Sequence, residues 1–237
     1  MSHIRNAWLI LVLLGLVVGL RASAQTSELD ELEPEIDAYY KLSSDVRIWF
    51  QTKETREFGD PVSAEIGPSI DVYMKPWIKL KGVTAFDLDD SKARPLLFSI
   101  GYRYLPYPNA PPKNRLEPFF TFNLPMKGGI LISDRNRADL DWQSGNFSWV
   151  YRNRLTFERT MSIRSYHFSP YASVETGYTS KYEKWSDTAI YVGCLFPIGK
   201  HVEFNPYYEH QNNTGPHPNQ QLNQLGLMLN LYFQQRQ

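Results

Sequence analysis

From residue 45 onward the apolar residues fall in short blocks in which every second position is apolar, the period of a strand with two unlike faces. The clearest block spans 146–159. Phe147, Trp149, Tyr151, Leu155 and Phe157 share one face there, and Ser148, Arg152, Arg154, Thr156 and Glu158 the other, with only Asn153 interrupting the apolar set. Residues 168–179, 188–198, 201–209 and 225–233 repeat the pattern, the last with Leu225, Leu227, Leu229, Leu231 and Phe233 in phase. Earlier blocks behave alike. Val46, Ile48 and Phe50 oppose Arg47, Trp49 and Gln51; Ile70, Val72, Met74 and Ile78 oppose Asp71, Tyr73, Lys75, Trp77 and Lys79. Further blocks at 98–104, 117–126 and 129–137 bring the total to about ten strands, an even number that suits a bacterial outer-membrane barrel.

A soluble antiparallel sandwich alternates in the same way, so other features must decide. The apolar face is rich in aromatics, drawn from 15 Tyr, 13 Phe and 6 Trp, as interfacial girdles require. The opposite face carries mid-strand charges such as Arg152, Arg154, Glu175 and Glu203, which a dry core or a lipid face would reject and a polar lumen accepts. The predicted fold is therefore all-β, an antiparallel transmembrane β-barrel over 45–233. With both termini on the periplasmic side, short turns are expected at 125–128, 162–165 and 197–200, and longer external loops at 106–115, 134–145, 181–187 and 211–219. The charged connection 81–94 is longer than this scheme favours. The alternating leucines ending on Phe233 resemble the C-terminal signal read by the barrel assembly machinery, with a tail of 234–237 beyond it.

Residues 1–24 change the picture of where the chain works. His3 and Arg5 precede the apolar run 8–20, and Ala22-Ser23-Ala24 closes it, the three parts of a cleavable export signal. Arg21 interrupts the run before it reaches the roughly 20 residues of a spanning helix. An acidic stretch, 25–44, with Glu28, Asp30, Glu31, Glu33, Glu35 and Asp37, reads as a solvated periplasmic lead-in. Lys plus Arg and Asp plus Glu both number 25, so no positive field gathers nucleic acid. One cysteine, Cys194, allows no disulfide within the chain, falls on the apolar face and reads as an inert hydrophobe; no zinc-spaced Cys/His cluster exists, and no cofactor is expected.

Three segments carry a family resemblance: Leu131-Ile132-Ser133-Asp134-Arg135-Asn136-Arg137, Tyr151-Arg152-Asn153-Arg154-Leu155, and Pro206-Tyr207-Tyr208-Glu209-His210-Gln211-Asn212-Asn213. They resemble the bacterial family of unknown function numbered 2490, over about residues 43–233. The resemblance implies an outer-membrane β-barrel and carries no catalytic residues with it.

The two Arg-Asn-Arg triplets are the most distinctive polar features. Arg152 and Arg154 share the lumen face, where they brace a narrow barrel against carboxylates from other strands or form a cationic constriction for a small anionic solute. The lumen set comprises Arg47, Asp71, Lys75, Arg103, Glu117, Arg152, Arg154, Glu175, Glu203, Tyr207 and Glu209. Arg135, Arg137 and His210 are placed at the rim, where the arginines could meet lipopolysaccharide phosphates. A lipid hydrolase would need a nucleophile beside a base; His167, His201, His210 and His217 are available, but no Gly-x-Ser-x-Gly elbow is present. The inward Trp49, Tyr73, Trp77 and Tyr207 favour a lumen filled by side chains over an open one. Expected partners are outer-membrane lipids and lipopolysaccharide, with the assembly machinery during biogenesis.

Overall fold

The computed structural model describes residues 26–74, 88–215 and 219–234. Twelve strands follow one another: β1 Thr26–Lys41, β2 Val46–Glu57, β3 Asp60–Met74, β4 Leu96–Tyr107, β5 Ala110–Met126, β6 Ile130–Gln143, β7 Asn146–Arg159, β8 Met161–Ile163, β9 Tyr166–Thr179, β10 Lys184–Ile198, β11 Val202–Asn213 and β12 Asn219–Gln234. A single 3-10 turn, η1 Asp90–Ala93, lies between β3 and β4. β8 continues the line of β7, since both pair with β9, so the wall is eleven strands around rather than about ten. Every neighbouring pair is antiparallel except the closing one, β1 with β12, which is parallel from Thr26↔Asn219 to Lys41↔Gln234.

The extra strand is the acidic segment. Expected as a solvated lead-in, 26–41 instead closes the barrel, because Glu33, Glu35 and Asp37 point inward and are buried while Leu32, Ile36 and Tyr40 point outward. An odd count also puts Thr26 and Phe233 at opposite ends of the barrel, which corrects the expectation that both termini share a side. The expected export signal at 1–24, Lys75, Trp77, His217 and most of the tail lie outside the described residues.

The long loops expected at 106–115 and 134–145 are also corrected. Those residues are strand, and the turns between them are tight. Phe58-Gly59 and Ser144-Gly145 carry positive φ at both positions, the twist that lets a two-residue turn join right-twisted strands. The polar content that suggested loops is lumen-facing instead: Asp139 and Asp141 point inward between outward Ala138, Leu140 and Trp142. Apart from β8 the strands run 12 to 17 residues, longer than the roughly 9–11 that cross a bilayer.

Inward glycines let the wall close around bulky rings. Gly226 faces Tyr207 across β11–β12 and Gly193 faces Tyr171 across β9–β10; a Cβ on Gly226 would stand 2.0 Å from the Tyr207 ring, so only glycine fits beneath it.

Candidate functional site

Eleven inward-facing ladders make the lumen, and their charges are not mixed evenly. On β6 and β7 the register sets Arg135 beside Arg154 and Arg137 beside Arg152, four guanidiniums on two adjacent strands. Like charges directly opposite repel, so this arrangement holds only because carboxylates are set among them. Glu175 of β9 accepts from Arg154 Nε at 2.6 Å and from an Arg152 terminal nitrogen at 3.1 Å. Asp139, fully buried, pairs with Arg137 at 2.8 Å and Arg152 at 3.1 Å. The Arg154 guanidinium lies 3.8 Å from the Tyr191 ring centre. Arg135 is the exception: its nearest carboxylate oxygen, on Glu175, is 3.8 Å away, and it makes no hydrogen bond among the described residues.

The acidic wall stands across the lumen. β1 is five strands from β6 in one direction and six in the other, so Glu33, Glu35 and Asp37 confront the arginines. Their partners are mostly neutral donors. Glu33 takes Lys53 Nζ at 3.3 Å, the Thr55 hydroxyl at 3.2 Å and the Tyr207 hydroxyl at 3.0 Å; Gln51 donates to Glu35, and the Tyr39 hydroxyl donates to Asp37 at 3.1 Å. Between the walls sits Arg103, wholly buried, donating to Gln51 at 2.6 Å, Ser69 at 2.9 Å and the Pro68 carbonyl at 3.0 Å, with Trp49 beneath its plane. Higher up, Arg115 grips Asp141 with two nitrogens, at 2.6 and 3.2 Å.

A cavity of about 340 Å³ remains between the walls, lined by Arg135, Arg137 and Arg154 on one side and Glu35 and Asp37 on the other. Its floor is η1 with the residue before it. Asp89 caps the Ser91 amide and binds Arg47 at 2.7 Å, which also holds Asp71. Lys92 reaches Glu158 at 2.8 Å, and the Asn123 amide donates to the carbonyls of Ser91 and Arg94. The described part of the connection expected to be too long for a turn, residues 88–94, is thus folded inward as a plug at the end where β12 finishes. Burial alone would raise the Asp89 carboxyl; Arg47, Lys92 and the Ser91 donors outweigh it and hold it below the ordinary carboxylate range. A depressed carboxyl stabilises its folded form above the ordinary range and loses that contribution as pH falls, so the plug should loosen on acidification.

The structure brings Arg47 to Asp71, Arg103 to within 3.5 Å of Glu117, and Arg152 and Arg154 to Glu175. Glu203 is buried but takes Asn230 and Tyr232 rather than an arginine, and Tyr207 takes Glu33. Glu209 is buried on β11. Arg135 and Arg137, expected at a rim, lie in mid-lumen; outward Asp134 and Asn136 break the apolar face of β6 and hid its phase. His210 is outward near the β11–β12 turn, bonded to Asn223. Pattern reading missed Lys53, Glu65, Asp89, Arg115, Asp139 and Asp141; it placed Glu158 on the inward face but not its partner Lys92. A serine–histidine pair exists, Ser162 Oγ to His167 Nδ1 at 2.7 Å, but it sits exposed on the β8–β9 hairpin with no carboxylate bonded to the ring among the described residues.

A family model described as a protein of unknown function, DUF2490, matches residues 14–222. The chain belongs to the DUF2490 family. The matched span runs from before β1 into β12, so the acidic closing strand and the arginine pair of strands both fall inside it. No curated protein matches the chain.

Proposed function

We propose that this DUF2490 protein is an integral β-barrel of the bacterial outer membrane whose lumen is closed at rest, acting through its walls and rims rather than as an open pore. The observation that carries the reading is an inverted burial pattern. Arg103, Asp139, Asp71 and Glu203 are at most 1% exposed, whereas Phe50, Met74, Phe98, Phe122, Phe157, Val174, Ile190 and Leu225 are 43–55% exposed around the outer wall. In water that wall would be a predominantly apolar surface, far larger than monomeric soluble proteins carry; in a bilayer it is the contact face. Closure of β1 on β12 leaves no long unpaired edge among the described strands, as lipid demands. The C-terminal Phe233 end is assigned to the periplasm, which sets the plug there and the Thr26 end outside, with lipopolysaccharide and other lipids as neighbours.

The test is electrophoretic and electrical. Unheated protein should run faster than boiled protein, and refolded protein in a planar bilayer should give no steady current. Asp89→Asn removes the charge that binds Arg47 and should open conductance at neutral pH, whereas the wild type should open only on acidification. Recovery of the wild type in the soluble fraction would refute the membrane reading, and a large constant wild-type current would refute the closed lumen.

A narrower reading, a site for a small anionic solute, rests on Arg135. Four guanidiniums share two carboxylates, and Arg135 faces the cavity without a hydrogen bond. If current appears in Asp89→Asn, a salt gradient should show it to be anion-selective, and Arg135→Gln should weaken that preference. Cation selectivity would sink this second reading.

A further inference from the structure

One feature of the outer wall contradicts its setting. Along the hydrogen-bonding direction the pairings Asn136↔Asn153, Asn153↔Thr176, Thr176↔Thr188 and Thr188↔Asn212 join into a polar row across five strands. All five side chains face outward. The row starts near the β11–β12 turn and descends to the middle of β6, where Asp134 adds a carboxylate one outward position further on. Asn153 donates from one amide nitrogen to Asp134 at 2.6 Å and to Asn136 at 3.1 Å, and the Tyr151 hydroxyl donates to Asn136 at 2.5 Å. Those bonds leave the Asn136 amide donors, the second Asp134 oxygen and the Asn153 carbonyl oxygen unspent among the described residues. Phe120, Phe122, Leu155 and Val174 surround the cluster, all apolar and 38–55% exposed.

Polar groups facing hydrocarbon are costly, and acyl chains at that depth carry neither donors nor acceptors. We infer that this face, β6–β7–β9, is the contact surface for a second copy of the same chain. The chemistry selects that occupant because the unspent groups are self-complementary. A two-fold axis near Asn153 sets each Asn136 amide against the open oxygens of Asp134 or Asn153 on the other copy, twice over, inside an apolar rim. A partner of different sequence would need its own outward amides at mid-depth, whereas a second copy brings them by symmetry.

The inference rests on the membrane placement proposed above, and the two are read separately on one set of samples. Full-length protein carrying Cys194→Ser is expressed with Ala138→Cys, outward on β6 beside the cluster, or with Ile36→Cys, outward on β1 across the barrel. Membranes are treated with a short bismaleimide, and unheated aliquots report whether the barrel is folded. Ala138→Cys should yield a band of twice the chain mass, at least about ten-fold above Ile36→Cys. Adding Asn136→Leu with Asn153→Leu should cut that yield by about five-fold or more while the heat-dependent shift persists. Folded membrane protein that stays monomeric, links equally from both positions, is captured at another mass, or links undiminished after the double substitution overturns the inference and leaves the membrane reading standing. Protein recovered in the soluble fraction overturns both.

Discussion

Glu175→Gln should destabilise the folded barrel by about 3 to 5 kcal/mol, because removing one partner of a buried charge set leaves the others uncompensated. Glu175 is 3% exposed and pairs with three of the four guanidiniums on β6 and β7. Without its charge only Asp139 remains among them. The arginine side chains are 22–31% exposed to the lumen, so water relieves part of the repulsion and the lower end of the range is expected. Arg135→Gln should behave oppositely. Its ion pair is long, it lies between like charges, and its loss should cost less than about 1 kcal/mol. Combining Glu175→Gln with Arg154→Gln should recover about 1 kcal/mol or more relative to the sum of the single changes, since the unpaired cation goes with its partner. Urea titrations of refolding into vesicles supply all four values; a Glu175→Gln cost no larger than that of Arg135→Gln would show that the cluster is not held by that carboxylate.

The same residues explain what could and could not be read from the chain. β7 and β12 are legible because Phe147, Trp149, Tyr151, Leu155 and Phe157, and then Leu225, Leu227, Leu229, Leu231 and Phe233, recur outward at every second position with Arg152, Arg154, Gly226 and Asn230 between them facing inward, so period two stands out. β1 has the same period, with Leu32, Ile36 and Tyr40 outward, but three inward carboxylates and Pro34 gave it the composition of a solvated tail. Lumen-facing acid and solvent-facing acid look alike until the opposite wall is known. β6 is a different case: Asp134 and Asn136 put polar groups on the outward side, so its two faces no longer differ in the sequence and Arg135 and Arg137 have no direction there. That loss of contrast marks the self-complementary cluster, where the local rule is broken for a reason outside the single chain. Membership of the lumen followed from phase, but pairing did not. Arg47 with Asp89, or Lys92 with Glu158, joins residues 42 and 66 positions apart through a connection with no strand pattern of its own.

The second large effect separates a bilayer from water. Ile36 is outward and 44% exposed on β1, paired with Thr52 midway along β2 and across the barrel from the β6–β7–β9 face. Arginine at the mid-depth of a barrel's lipid face costs about 2 to 4 kcal/mol, falling to about 0 to 1 at the interfaces. Ile36→Arg should therefore lower stability in vesicles by about 2 to 4 kcal/mol, and Ile163→Arg, 65% exposed beside the β8–β9 turn, by less than about 1. Neither residue is packed inward, so lost contacts contribute little to either value. If water bathed the wall, two exposed isoleucines would exchange for arginine at nearly equal and small cost. The gradient with depth, rather than either number, is the signature: a difference near zero between Ile36→Arg and Ile163→Arg would mean that the outer face of β1 meets water or protein instead of lipid.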